Sequence, residues 1–320
     1  MAERDRPPRV LVLGTGAIGS LYGAMLARSG AEVSVVSRSD RNTVREQGIR
    51  IYSTQWGDGV FRPARVLDSP GQAGKVADPP DYLWVALKAV RGVDRCALIR
   101  SAIGPRTAIV LVGNGIGIEE DIAAAFPQNE LVSVLAFVAA TRAGPAEVRH
   151  HALGRLAMGC YPAGTSAAVE RLAQLFAAVG VPCDVQADIT ASRWLKNLWN
   201  VAFNPISVLG GAMDTRTILA PPQGREFVRR VMQEAAAVAA ANGYPIAESV
   251  IEDTLRSTAA MPAYKTSMAA DFEAGRELEV EPILGNVVRS AREHGVSAPS
   301  LESLYALMCM VQARPSPAGA

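Results

Sequence analysis

Arg9-Val10-Leu11-Val12-Leu13-Gly14-Thr15-Gly16-Ala17-Ile18-Gly19, near the start of the chain, couples a short apolar run to a glycine turn of the form GxGxxG. The run suits a buried parallel strand, and the residues after the turn keep a helical pattern through Arg28. In that setting the three glycines do different things. Gly14 permits the tight turn, Gly16 lets the backbone approach a pyrophosphate, and Gly19 lets the helix pack on the strand. The helix opens at Ala17 and Ile18, where N–H groups without intrahelical partners face an anion. The motif predicts a dinucleotide site on a strand–turn–helix unit.

Beyond this unit, a second strand, Glu32 to Val36, ends in Ser37-Arg38, with Arg41 close behind. A carboxylate at this strand end would bind the ribose 2′-hydroxyl of NAD and repel a 2′-phosphate; here guanidinium groups and a hydroxyl stand in its place, so the expected cofactor is NADP(H). The competing explanation is two ordinary loop arginines. Residues 48–66 alternate apolar and polar around Gly57-Asp58-Gly59, as a strand pair would. Tyr82 to Leu87 forms a central strand running into Lys88, and Ala108 to Val112 another running into Gly113-Asn114-Gly115. Open α/β sheets bind ligands at such carboxyl ends, which makes Lys88 and Asn114 candidates for contact with cofactor or substrate. Taken singly, each is more often a turn residue, since Asn-Gly is a common turn dipeptide and a lysine after a strand is usually solvated. Leu131 to Phe137 predicts a further strand, followed by a hairpin over Glu147–His150 and Gly154–Met158 with His150 and His151 as surface residues at its tip. A helix over 166–178 and a last strand over 181–185 complete the pattern.

Strand patterns then nearly vanish. Helical runs are expected at 188–204, 222–242, 248–257, 276–294 and 299–312, with a disordered tail from Arg314. The expected architecture is α/β: an N-terminal Rossmann-type doubly wound sheet over residues 1–187 that binds NADP, and an all-α domain over 188–320 that carries substrate and catalysis. The first of these helical runs contains Arg193-Trp-Leu-Lys-Asn-Leu-Trp-Asn-Val-Ala-Phe-Asn-Pro205. Lys196, Asn200 and Asn204 recur every four residues and form one polar stripe in an apolar segment. A buried amide without a partner costs ~1–3 kcal/mol. The stripe therefore faces either a polar cleft or ligand, or else plain solvent, with Pro205 ending or kinking the helix.

Composition narrows the class. A chain of 320 residues with 49% hydrophobic content can bury two cores. The net charge of +1 and the lack of any basic run disfavour nucleic acid and anionic membrane as partners. Four scattered cysteines make no CxxC pair, so neither a metal site nor a disulfide frame is expected. The charged, Pro-rich first eight residues and the lack of a long apolar run suggest a cytoplasmic protein.

With these pieces together, the chain resembles the ketopantoate reductase (2-dehydropantoate 2-reductase) family. The resemblance runs from GxGxxG through Lys88, Asn114-Gly115 and the Lys196…Asn200…Asn204 helix to Ser267-Met268-Ala269-Ala270-Asp271 and Leu278-Glu279-Val280. It implies that Lys196 is the general acid, that Asn200, Asn204 and Ser267 hold the substrate, that Glu279 supports catalysis and cofactor, and that Asn114 and Lys88 lie where cofactor meets substrate. It further implies NADPH-dependent reduction of ketopantoate to pantoate at an interdomain cleft, in pantothenate biosynthesis. The partners are then a small 2-oxo acid and, if the chain assembles, a second copy of itself. One departure concerns substrate identity: many members place an asparagine near the position of Asp214.

Reduction of a 2-oxo acid needs a hydride donor, a proton for the carbonyl oxygen and a clamp for the carboxylate, and the chain holds a candidate for each. The alternatives are a reductase of another branched 2-oxo acid, a β-hydroxyacid dehydrogenase with a similar two-domain plan, and an NADP-sensing protein without turnover.

Overall fold

The computed structural model describes residues 6–72 and 79–313; the tail from Arg314 lies outside this range. By its contacts the chain divides into two compact units. One comprises Met1–Lys88, Val93–Gly113 and Glu119–Thr190, the other Ala89–Gly92, Asn114–Ile118 and Ala191–Ala320. Two short segments that follow strands of the first unit thus pack with the second.

Within the first unit the described residues form ten strands: β1 (Arg9–Leu13), β2 (Glu32–Val36), β3 (Ile49–Ser53), β4 (Gly59–Phe61), β5 (Arg65–Leu67), β6 (Tyr82–Val85), β7 (Ala108–Val112), β8 (Leu131–Gly144), β9 (Glu147–Cys160) and β10 (Cys183–Val185). They lie in one mixed sheet in the order β4-β3-β9-β8-β7-β6-β1-β2-β5, with β10 added beside β9. From β8 to β5 every neighbouring pair is parallel. The chain steps from β1 to β2 on one side and reaches β6, β7 and β8 on the other, so the order reverses between β1 and β6. That reversal is the switch point at which doubly wound sheets leave a crevice beyond the strand ends. The central strands are apolar on both faces because both faces are covered. Tyr22, on the Ala17–Arg28 helix, packs its ring against Trp56, Trp84 and Phe176, the last supplied by the Ala167–Ala177 helix.

The hairpin differs from its sequence expectation. Its strands continue through the histidines, and the chain reverses at Pro145-Ala146, with Ala146 at φ 50°. Leu153 and Gly154 adopt φ 64° and 126° opposite a register shift, so a bulge inside β9 produces the turn-like sequence there. His150 is consequently not a surface residue: it is 2% exposed, paired with Ser53 of β3 and stacked on Trp56 at 4.5 Å. His151, one residue on and facing the other way, is exposed.

Among its described residues the second unit contains no strand. Its core gathers Leu198, Val201, Phe203, Val231, Met232, Leu255, Val287 and Leu301 from several helices. The polar-stripe helix spans Ile189–Leu209 and passes through Pro205 without ending. An interior proline costs about 3 kcal/mol, but Val208 is buried beyond it, and Ile206 and Leu209 pack on the same core. Burial of those side chains offsets the lost hydrogen bond. Residues 276–279, expected to be helical, form no regular secondary structure. Leu278 and Val280 are buried while Glu277 is exposed and Glu279 half-buried, a period of two that a helical count does not register. A π-helical turn, Glu281–Gly285, then leads into the Asn286–Glu293 helix. Short helices at Thr215–Leu219 and Ser267–Glu273 add to the runs expected from sequence; each is capped by the side chain before it, Asp214 and Thr266. No helix among the described residues is long and apolar enough to cross a membrane.

Candidate active site

The glycine turn belongs to the first unit. Gly14 sits at φ 96°, and a Cβ there would lie 2.9 Å from the carbonyl oxygen of Ala86, beyond the end of β6. A Cβ on Gly19 would fall 2.0 Å from the carbonyl oxygen of Gly14, so only hydrogen fits where the helix meets the turn. Gly16 is different, because a Cβ there would meet no protein atom within 4 Å. Its hydrogen is therefore not demanded by the protein's own packing. The open backbone lies at the N-cap of the Ala17–Arg28 helix, which has no side-chain cap. Ala17 and Ile18 open that helix, and the geometry fits a dinucleotide pyrophosphate.

At the end of β2, Ser37 is buried and within 3.3 Å of the Thr15 hydroxyl. Arg38 is exposed. Arg41, the second guanidinium near this strand end, is paired with Asp68 at 3.2 Å, and Arg45 shares the same carboxylate at 2.8 Å. Asp40 turns inward, accepting from Arg142 and from the backbone N–H of Ala146. Although burial alone would raise its pKa, these hydrogen bonds hold the Asp40 carboxyl below the usual carboxylate range. Lys88, three residues past β6, is exposed.

Lys196 and the residues around it belong to the second unit. Lys196 Nζ donates to Oδ1 of Asn114 at 2.9 Å, which brings together two residues that the sequence places on separate elements. The Asn114–Ile118 segment is held at successive residues. Arg193 donates to the Gly115 carbonyl at 3.2 Å, Ile116 N–H donates to the carbonyl of Pro282 at 2.8 Å, and Asn286 donates to the Ile116 carbonyl at 2.6 Å. Gly115 lies at φ 93°, and a Cβ there would come within 2.3 Å of the Pro282 carbonyl oxygen.

The stripe is not a solvated helix face. Arg193, Asn197, Asn200 and Asn204 are buried, Lys196 is half-buried, and the exposed neighbour is Leu195. Asn204 is 0% exposed with neither amide atom bonded, and Asn200 Nδ2 is likewise without a partner. Buried amides left this way cost stability, and their free hydrogens and oxygens can pair with oxygens or donors of a bound molecule. Alongside, Trp199 stacks on Phe203 and donates its indole N–H to Thr258.

Ser267 is the exposed first residue of its helix, and its hydroxyl has no hydrogen bond among the described residues. Glu279 accepts from the backbone N–H of Ala89, 3.3 Å from Oε1. Glu277 and Glu281 bind the same short segment, Glu277 accepting from Arg91 N–H at 2.9 Å and Glu281 from the Arg91 guanidinium at 2.9 Å. Asp214 caps its helix by accepting from Thr217 N–H at 2.8 Å. Sequence reasoning assigns nothing to Arg193 and Asn197. Their signal is present, since both fall on the stripe at helical spacing from Lys196 and Asn200.

Two family models match the chain: "Ketopantoate reductase PanE/ApbA" over residues 10–163 and "Ketopantoate reductase PanE/ApbA C terminal" over residues 188–312. A 2-dehydropantoate 2-reductase from Nostoc sp. is 32% identical over 301 residues, covering 92% of each chain. The crystal structure of 2-dehydropantoate 2-reductase from Methylococcus capsulatus is 50% identical with a TM-score of 0.90, covering 96% of this chain and 98% of that one. That of the protein of the same name from Geobacter metallireducens GS-15 is 32% identical with a TM-score of 0.86, covering 94% and 99%.

Proposed function

We propose, since this chain belongs to the ketopantoate reductase family, that it reduces 2-dehydropantoate to pantoate with NADPH, Lys196 serving as the general acid. The chain is an oxidoreductase acting on a CH–OH group, as the family is. The observation that carries the finer reading is the 2.9 Å hydrogen bond from Lys196 Nζ to Asn114 Oδ1. An amide oxygen can only accept, so it orients one Nζ hydrogen of Lys196.

When bound, NADPH supplies the hydride. In this reading the part of the chain before Asp188 holds the cofactor and the part from Asp188 onward holds the acid. The open backbone at Gly16 and the first N–H groups of the helix receive the pyrophosphate, and Arg38 takes the 2′-phosphate. As the carbonyl carbon accepts hydride, its oxygen becomes an alkoxide, and the Lys196 ammonium stands near it. At ~4 Å and an effective dielectric near ~20 that attraction is on the order of 4 kcal/mol. Transfer of one Nζ proton to the oxygen gives the alcohol and leaves a neutral amine, which solvent reprotonates. Asn200 and Asn204 donate their unpartnered amide hydrogens to substrate oxygens, and Ser267 adds a hydroxyl. Glu279 supports the loop that starts at Ala89.

The test is an NADPH-oxidation screen over ketopantoate and other branched 2-oxo acids. Ketopantoate is expected to give the highest kcat/KM by a clear margin. A better turnover of another 2-oxo acid, or saturable NADPH binding with no oxidation of any, overturns the assignment.

A further inference from the structure

Resting on the assignment of Lys196 as the acid, we infer that Arg193 is a positioning residue for the reaction, acting through Asn114. Arg193 is 3% exposed, and a guanidinium is withdrawn from water only where acceptors repay its desolvation. One acceptor is the Gly115 carbonyl, at 3.2 Å. Gly115 directly follows the residue whose side-chain oxygen holds Lys196. Arg193 and Lys196 are three residues apart on one helix and so lie on the same face. The helix therefore grips the loop twice, once by the backbone at Gly115 and once by the side chain at Asn114.

The opposite side of the loop is closed by Pro282 and Asn286, through Ile116. Asn197, one residue from Lys196, donates to the Ile283 carbonyl at 3.0 Å, tying that π-helical turn to the same helix. The backbone between the two clamps is Gly115, whose φ of 93° and lack of room against Pro282 leave no alternative residue. Without the Arg193 grip the loop keeps its attachment at Ile116 but loses the one beside Asn114. The Asn114 amide then drifts from Nζ, and the ammonium loses its orientation rather than its existence.

The experiment is a double-mutant cycle of Arg193→Met and Asn114→Ala, with Lys196→Ala as a reference. A misplacement on the ångström scale costs kcat roughly 10- to 100-fold, and that is the loss expected for Arg193→Met with NADPH KM nearly unchanged. If Arg193 acts through Asn114, its loss in the Asn114→Ala background should cost less than about threefold. Competitive reductive methylation of Lys196, read by mass spectrometry, needs no turnover; labelling should accelerate in Arg193→Met to the rate seen in Asn114→Ala. An equal kcat cost in both backgrounds, or unchanged labelling, overturns the inference. Should Arg193→Met fail to fold, Arg193→Lys keeps a cationic donor on the same helix face without the guanidinium's reach, and is expected to give a smaller kcat loss and a partial rise in labelling; wild-type values for both would overturn the inference. Full turnover by Lys196→Ala would remove the general-acid reading, whereas the labelling result judges Arg193 by itself.

Discussion

Lys196 and Asn114 stand 82 positions apart in the chain, yet Nζ of one donates to Oδ1 of the other at 2.9 Å. The lysine rides on a long helix and the asparagine on the short segment after β7. A lysine in this position is not a solvated charge: an acceptor that cannot donate specifies where its protons point.

Replacing Lys196 by alanine should therefore lower kcat by about 10²- to 10⁴-fold while leaving NADPH affinity, measured by fluorescence titration, within experimental error. Lys196→Arg separates the two jobs of the side chain. It keeps the charge but does not give up a proton, so it should recover substrate affinity without recovering kcat. Wild-type turnover by either variant would contradict the mechanism.

In the proposed function, cofactor choice rests on Arg38. Arg41 is already committed to Asp68, which leaves Arg38 as the exposed guanidinium at the end of β2. A charge-assisted hydrogen bond contributes roughly 1.5–3 kcal/mol, so Arg38→Ala should weaken NADPH binding by about 10- to 100-fold. NADH binding should barely change, and Arg41→Ala should have the smaller effect on NADPH. Equal losses for both cofactors in Arg38→Ala would rule out a 2′-phosphate contact.

The glycine turn offers a comparison of two alanines. Gly16 has φ −75° and ψ −170°, which alanine adopts freely, and an added methyl there meets no protein atom within 4 Å. Gly16→Ala should thus fold with an unchanged Tm and yet bind NADPH poorly. At Gly19 alanine would gain up to ~1 kcal/mol in helix propensity, but the methyl lands 2.0 Å from the Gly14 carbonyl oxygen. Overpacking against backbone costs ~1–3 kcal/mol or more, so the clash wins and Tm should fall. Calorimetry with and without NADPH distinguishes the two. Normal cofactor affinity in Gly16→Ala would mean that the loop does not cradle the pyrophosphate.

Much of this is legible in the sequence because it is local. GxGxxG needs only its own strand and helix, and the stripe of Lys196, Asn200 and Asn204 needs only the helical period. What is not legible depends on partners distant in the chain. The Arg41 ion pair requires knowing that β5 lies beside β2, which delivers Asp68. The burial of His150 requires the pairing of β9 with β3, which no local pattern announces. The acidic residues around Glu279 suggest a solvated helix, whereas the buried Leu278 and Val280 follow a strand-like alternation. In each case the outcome depends on a tertiary partner, and for His150 and Leu278 tertiary burial overrides a local preference.

That buried His150 sets a pH dependence of stability separate from catalysis. Its Nε2 faces the carbonyl oxygens of Leu153 at 3.0 Å and Ala152 at 3.2 Å, so Nε2 carries the proton and Nδ1 accepts from the Ser53 hydroxyl at 2.9 Å. Ser53 Oγ meanwhile accepts from Trp56 N–H at 2.9 Å. Protonating Nδ1 would end the hydrogen bond it accepts from Ser53 and oblige that hydroxyl to turn, beside a ring that is buried. Burial holds the His150 pKa below the ordinary 6.5, against the opposing hydrogen bonds to Leu153 and Ala152. The unfolded chain then binds the proton more readily than the folded one, so stability rises with pH between the two pKa values. His150 contributes fully above about pH 6.5, and its contribution is lost as pH falls toward the depressed folded value. Wild-type Tm should therefore level off above this point and decline below it. His150→Gln should lower Tm at neutral pH, since it loses the stack on Trp56, but should show a shallower decline on acidification. Parallel Tm curves for the two proteins across the acidic range would show that another group controls the response.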